Sequence, residues 1–261
     1  MQRPPNRNAP PILFARGTSE WISRVNQKHK QLVELRCSTE QTAKLDRWIE
    51  TEFVYATLKL EGVNIERNDA ARIVSGTNDP LSEIERTGTE LLQSLRMITS
   101  LGRAKGKAAE LTSGLLLDLH SIHGEGFRTT AGDTSRVPQP LPPAHLPALV
   151  ETAFRWYTAE SFVELNPIEQ ASIVLLRLID LQPFEQANER TALVAASLFT
   201  VRSDLPPIII KSELASTYRN ALVEGSRMNT KPMVETIAES VEKSLEELIE
   251  EATQREGKNR S

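Results

Sequence analysis

A polar stretch, residues 182–190, interrupts the two most apolar segments of the chain and reads QPFEQANER. Pro183 should end the preceding helix, because proline lacks an amide hydrogen and its ring clashes with the turn before it. Asn188 is suited to cap the next helix, whose unpaired first amides and dipole attract anions. Arg190 would add a forked cation that fits phosphate. The stretch therefore predicts either an anion-binding loop or a plain connection between two helices.

The segments on both sides of this loop should be helices at the centre of a bundle. At residues 171–181 only Ser172, Arg177 and Asp180 interrupt an apolar surface, and residues 192–201 are nearly as apolar. Helices that are apolar on almost every side belong in the interior of a fold. The loop would therefore connect two buried and rigid elements.

Helical periodicity extends over most of the chain. It predicts helices near residues 19–35, 38–61, 66–74, 81–100, 107–122, 144–160, 167–181, 188–203, 211–224 and 232–254. Ser38 with Gln41, and Asn166 with Glu169, form the signals that start a helix. Only residues 126–138 carry the signals of a small β-hairpin. The predicted fold class is all-α.

Length, composition and charge exclude several classes of protein. The 261 residues can bury a sizeable core, and the formal net charge of -4 gives no electrostatic basis for binding nucleic acid. The single cysteine, Cys37, excludes an internal disulfide and suits a reducing compartment. Neither a signal peptide nor a membrane-spanning segment is recognisable. We therefore expect a cytoplasmic protein that binds neither nucleic acid nor membranes.

The polar loop resembles the signature of the Fic (Fido) family, HxFx[DE]GNGRxxR. QPFEQANERTAL aligns with it without a gap, and Pro183 and Phe184 are the anchors that remain. LLLDLHSIHGEGFR resembles the helix that leads into the Fic flap and ends at Arg128. The resemblance implies an all-α, Fic-type helical bundle with a small β-hairpin flap. It divides the chain into an N-terminal arm, a helical region with the inhibitory-type helix, a Fic core and a C-terminal helix with a charged tail: residues 1–18, 19–106, 107–240 and 241–261.

The departures from the signature fall on its chemistry. Most Fic enzymes transfer AMP from ATP to a hydroxyl of a target protein, with the motif histidine as general base and an acidic residue on magnesium. Gln182 stands at the position of the base and cannot usefully accept a proton. Gln186 replaces the magnesium ligand and brings no charge to the cation. His120 and His123 are either a replacement base or half-buried helix residues with local hydrogen bonds.

The groups that bind phosphates in the family are also changed. Ala187 adds a methyl group where the backbone should approach phosphate, and alanine disfavours a positive φ. Glu189 brings a negative charge to the amides that would hold a triphosphate. Leu193 replaces the second motif arginine, which clamps the nucleotide. Asn188 and Arg190 remain as nucleotide- or phosphate-binding residues. Arg128 at the flap is expected to be an ordinary surface arginine, and the alternative is an anion patch with Arg136 and Arg155.

The stretch TLKLEG, with Thr57, Glu61 and Gly62, is similar to the inhibitory motif [ST]xxxE[GN] of the family. In inhibited Fic proteins this glutamate reaches the second motif arginine, which is Leu193 here. Glu61 should therefore turn to Arg190 or to solvent. The alternative is an ordinary helix end with Gly62 in a left-handed cap.

These changes favour a degenerate Fic-family protein that does not act as a protein adenylyltransferase. It would act by binding a protein partner, or a residual nucleotide or phosphate at Asn188 and Arg190. ATP with magnesium would be a weakened cofactor, no metal ligands are expected, and a homodimer is left open. Two alternatives stay open: a nucleotidyl- or phospho-group transferase with altered chemistry, and a transcription-related regulator.

Overall fold

The computed structural model describes residues 20–76, 82–131 and 141–253. Within these ranges the chain forms eleven α-helices and three 3₁₀-helices, and no strand is present. The all-α fold class is confirmed. The α-helices are α1 Glu20–Glu34, α2 Thr39–Leu60, α3 Arg67–Ser75, α4 Glu83–Lys105, α5 Ser113–Ser121, α6 Leu146–Tyr157, α7 Glu160–Val163, α8 Pro167–Leu181, α9 Asn188–Val201, α10 Ala215–Ser226 and α11 Lys231–Thr253.

Local capping signals set the beginning of two of these helices, as predicted. Ser38 accepts a hydrogen bond from the backbone N of Gln41 at 3.3 Å, while its own backbone N donates to the Gln41 side chain at 2.8 Å. At α8, the Asn166 side chain accepts from the backbone N of Ile168 at 2.9 Å, and its backbone N donates to Glu169 at 3.0 Å. These contacts satisfy amides that have no partner within the helix.

Helices α8 and α9 pack against each other at the centre of the fold, and α4, α5 and α11 surround them. Every residue of α9 from Thr191 to Val201 is buried, and Ile173, Val174, Leu175 and Leu178 are buried in α8. The two helices that the sequence placed in the interior are therefore there, and the loop between them is held at both ends by buried elements.

Helix α2 brings Glu61 to the loop. Its second half contributes Phe53, Val54 and Leu58 to the core, and Leu60 is its last residue. Gly62 follows with φ 84°, a left-handed conformation in which a side chain would be strained. The predicted left-handed glycine at this helix end is confirmed, and the chain turns away from α2 directly after Glu61.

Three differences from the sequence predictions concern connecting segments. Helix α5 is shorter than predicted, because the Thr112 side chain accepts from the backbone N of Leu115 and begins the helix at Ser113. Helix α7 was not predicted. The predicted hairpin falls on residues 126–131, which form no strand, and on residues that lie outside the described ranges, as does the predicted N-terminal arm.

Across the three described ranges, none of the helices is long and apolar enough to cross a membrane.

Candidate functional site

Gln182 ends α8 in a left-handed conformation, with φ 43° and ψ 62°. Its backbone N still donates to the carbonyl of Leu178 at 3.0 Å, and Pro183 follows without a donor of its own. Only 6% of Gln182 is exposed. A residue with a side chain is strained by about 1–2 kcal/mol in this conformation, so the surroundings must hold the turn in place.

Arg128 provides that support. The residue is 2% exposed, and its guanidinium donates to the carbonyls of Gln182 at 2.6 Å, Thr130 at 2.7 Å and Leu141 at 2.5 Å. Its backbone N donates to the carbonyl of Pro183 at 2.8 Å. The expectation of a surface arginine is therefore wrong, because three carbonyl oxygens accept from the guanidinium and hold it inside the fold. Arg128 ties the loop to both ends of the flap segment.

Asn188 closes the loop on itself and does not cap α9. Its side-chain amide donates to the carbonyl of Phe184 at 2.8 Å, and its side-chain oxygen accepts from the backbone N of Phe184 at 2.9 Å. The capping position is occupied by Ala187, which makes no side-chain hydrogen bond. The prediction of an Asn188 cap is wrong, because the side chain instead satisfies two polar backbone groups of the loop.

Ala187 adopts φ 57° and ψ 19°, the left-handed conformation that glycine adopts without strain. The same segment thus contains two left-handed residues with side chains, Gln182 and Ala187. The backbone of this loop keeps a shape that suits glycine, although the side chains have changed.

Arg190 forms a two-point ion pair with Glu61. Its Nε lies 2.9 Å from Oε1 and a terminal nitrogen lies 2.8 Å from Oε2, with side-chain exposures of 18% for Arg190 and 16% for Glu61. Burial raises the pKa of Glu61, and Arg190 opposes that shift. Of the two sequence expectations, Glu61 therefore takes the arginine and not the solvent, and α2 is tied to the start of α9.

The side chains of His120 and His123 are buried more deeply than the half-buried state expected from the sequence, and that of His123 is 2% exposed. His120 is 2% exposed and stacks on Phe184 with a centroid distance of 3.5 Å. His123 lies 3.4 Å from both Ser94 and Glu90 of α4, so its contacts are not local. Burial lowers the pKa of each imidazole to about 4, which leaves both neutral at pH 7.

Glu185 is a residue that sequence reasoning missed. Its carboxylate accepts from the backbone N of Thr129 at 2.8 Å and of Thr130 at 3.1 Å, and from both threonine hydroxyls. These hydrogen bonds, led by the Thr130 hydroxyl, lower the pKa of Glu185 to about 2. Glu185 lies 55 positions or more from both threonines, so no local pattern in the sequence predicts the contact.

The remaining motif positions are part of the scaffold. Leu193 and Thr57 are buried, and Gln186 donates from its side-chain nitrogen to the carbonyl of His123 at 3.2 Å. In the described part of the chain, no group of three or more His, Cys, Asp and Glu residues is arranged to hold a metal ion.

A cleft of about 370 Å³ opens beside the loop, between α8 and α10. We call it the α8–α10 cleft. Its lining includes Gln182 and Glu189 of the motif, whereas Asn188 and Arg190 do not line it. The other lining residues come from the two helices: Leu176, Ile179, Asp180, Arg219, Leu222, Val223, Gly225 and Ser226. Gln182 and Glu189 thus line the cleft, whereas Asn188 bonds within the loop and Arg190 pairs with Glu61.

The model of the Fic/DOC family matches residues 110–200, a range that contains α5 and the whole of the loop. These residues form a Fic domain. The family resemblance read from the sequence is confirmed.

Two curated relatives are adenylyltransferases by name. The chain is 26% identical over 254 residues to "Protein adenylyltransferase fic-1" of Caenorhabditis elegans, which covers 90% of this chain and 49% of the relative. It is 29% identical over 103 residues to "Protein adenylyltransferase Fic" of Drosophila melanogaster, which covers 40% and 21%. The Fic-domain chain thus spans half or less of the length of these relatives.

Solved structures show the same fold. A Fic domain containing signaling protein from Bacteroides thetaiotaomicron superposes with a TM-score of 0.74 at 22% identity, covering 88% of this chain and 98% of that one. Fic-1 from C. elegans gives a TM-score of 0.73 at 21% identity, covering 88% and 72%. At these identities the likeness establishes the Fic-type helical fold alone.

Proposed function

We propose that this chain is a degenerate Fic-domain protein that does not transfer AMP and acts by binding. The observation that carries the proposal is Gln182 at the end of α8, the position of the general base in the Fic signature. A carboxamide has no pKa near neutrality and cannot take a proton from a target hydroxyl. Loss of a general base alone typically costs about 10²–10⁴-fold in rate.

The contacts of the two retained phosphate-binding residues support the proposal. Arg190 is engaged at two points by Glu61, and Asn188 is engaged by the backbone of Phe184. A triphosphate at the start of α9 would have to displace Glu61 and approach the carboxylate of Glu189, which repels it. The residual phosphate site at Asn188 and Arg190 is therefore the less favoured form of binding, and a protein partner or a ligand in the cleft is favoured.

The residues at the magnesium position do not fit that ion. Gln186 brings no charge, and its side-chain nitrogen is turned to the carbonyl of His123. The neighbouring carboxylate of Glu185 is already occupied by four donors from Thr129 and Thr130. Magnesium prefers carboxylate oxygens that are free to coordinate it, so no step of the proposed function uses the ion.

Incubation with labelled ATP and magnesium tests the proposal. We expect no label on the wild-type protein or on added candidate proteins, because base and metal ligand are absent together. Labelling of the wild type that disappears in Asn188→Ala would contradict the proposal, provided that circular dichroism shows the variant to be folded.

A positive control shows that the assay can detect transfer on this scaffold. It restores the five altered motif positions together, with Gln182→His, Gln186→Asp, Ala187→Gly, Glu189→Gly and Leu193→Arg. It also carries Glu61→Gly, because the inhibitory glutamate would otherwise reach the restored arginine. The loop backbone already has glycine-like geometry at Ala187, so we expect this variant to fold and to become labelled. The single variant Gln182→His should stay unlabelled, because Gln186 still provides no carboxylate for magnesium.

An enzyme with altered chemistry is the second candidate, and the cleft beside Gln182 is the observation in its favour. Its volume is in the range of small-molecule sites. A panel of nucleotides in a thermal-shift measurement discriminates, because a ligand of the folded state raises the melting temperature. A shift that requires magnesium would favour the enzyme, and no shift with any nucleotide would favour binding alone.

A further inference from the structure

Glu189 gives the α8–α10 cleft an unpaired negative charge. Its Oε1 is buried and accepts no hydrogen bond from any described residue, and within the described ranges no cation lies at ion-pair distance from this carboxylate. The side chain belongs to the first turn of α9 and contributes to the cleft lining. A buried carboxylate oxygen without a donor is costly, so a donor supplied by a ligand would be strongly favoured.

The other carboxylate of the cleft lining has a cation as its partner, since Asp180 pairs with Arg177 at 3.2 Å. Arg219 donates to the carbonyl of Leu60 at 2.9 Å and keeps its positive charge. Arg190 does not line the cleft and is paired with Glu61. Glu189 is therefore the carboxylate of this group that is left to receive a ligand.

The remaining lining can hold the rest of a small ligand. Leu176, Ile179, Leu222 and Val223 form an apolar wall. Gln182 lines the same cleft, and its carboxamide carries an uncharged acceptor oxygen. A histidine ring loses its acceptor nitrogen when it is protonated, whereas a carboxamide oxygen accepts at every pH.

We propose that the α8–α10 cleft binds a small organic cation. The ammonium or guanidinium group would donate to Glu189 and Gln182, and an aliphatic body would lie against the apolar wall. The inference rests on the proposed function, in which this site binds and does not react, and it adds the chemical class of the ligand. The same carboxylate disfavours a nucleotide, because it repels phosphate.

Ligand-observed NMR with butylguanidinium tests the proposal, with butyrate as an anion of similar size and ATP as the nucleotide. We expect the wild type to bind butylguanidinium in the millimolar range and neither anion. Glu189→Gln keeps the volume and removes the charge, so affinity should fall roughly tenfold or more. Glu239→Gln, on the exposed face of α11, is the matched control and should leave affinity unchanged.

Three results would overturn the inference. The first is equal affinity of the wild type and Glu189→Gln for butylguanidinium, and the second is no binding to the wild type. The third is displacement of butylguanidinium by ATP at a similar concentration. Failure of the proposed function is separate, because it would appear as transfer of label from ATP and not as a change in cation binding.

Discussion

The partners of individual side chains distinguish this loop from the one that the Fic signature describes. Arg190 remains, but Glu61 occupies its guanidinium at two points. Leu193 is buried where the family has a second arginine. The ion pair of Glu61 with Arg190 therefore links α2 to α9 in this structure. Its raised pKa, caused by burial and opposed by Arg190, is consistent with a carboxylate that has moved out of water into an ion pair.

Replacing Glu61 by glutamine should weaken the fold without creating activity. The change removes one partner of a partly buried pair and leaves the Arg190 guanidinium without its counter-charge. We expect the free energy of unfolding to fall by about 1–3 kcal/mol, a value reduced for partial exposure. Urea denaturation measures the loss, and labelled ATP measures transfer.

The control for this prediction is Glu235→Gln, whose exposed side chain pairs with Lys231. This control should change stability by less than about 0.5 kcal/mol. Strong self-labelling of Glu61→Gln would show instead that Glu61 restrains an activity.

At the scale of elements, one arginine organises the segment between α5 and α6. Arg128 donates to carbonyls of the loop, of Thr130 and of Leu141, so it holds residues on both sides of the flap segment against the end of α8. The carboxylate of Glu185 adds a second link to Thr129 and Thr130. The loop and the flap base form one hydrogen-bonded unit, and the left-handed turn at Gln182 depends on it.

Arg128→Met should disrupt this unit. The variant keeps most of the side-chain volume but leaves three buried or partly buried carbonyls without a donor, so we expect a loss of about 3 kcal/mol or more. Hydrogen exchange should accelerate at the loop before the rest of the protein. Arg155→Met on the exposed surface of α6 is the control and should change neither measurement. Unchanged exchange at the loop in Arg128→Met would remove its assigned positioning role.

At the scale of the whole molecule, the loop is surrounded by helices that are distant in the sequence. Helix α2 contributes Glu61, α4 contributes Glu90 and Ser94, and α10 forms one wall of the cleft. The stability of the molecule is therefore coupled to groups buried around the loop. The proposed division of the chain into an N-terminal helical region and a Fic core stays a prediction.

Acid should destabilise the protein through its two buried histidines. Burial lowers the pKa of His120 and His123 from 6.5 to about 4, so the folded state binds fewer protons than the unfolded state between these values. Their contribution is fully present above pH 6.5 and is lost as the pH falls towards 4. Each histidine contributes at most about 3 kcal/mol. Urea denaturation over this pH range measures the slope.

His120→Phe should reduce that slope, because the ring can still stack on Phe184 and no longer titrates. His145→Phe is the control, since His145 is exposed before α6. A slope that is the same in the wild type and in His120→Phe would contradict the assignment to His120.

The sequence by itself determined most of the helices, their central pair and the family, but not α7 or the start of α5. Caps such as Ser38 and Asn166 act over two to four residues, and periodicity is also local, so both can be read along the chain. The tertiary structure alone decided the roles of the site residues. Arg190 meets Glu61 across 129 positions and Arg128 meets Gln182 across 54. Which donor finds which acceptor over such separations depends on how the helices pack, and no local pattern contains that information.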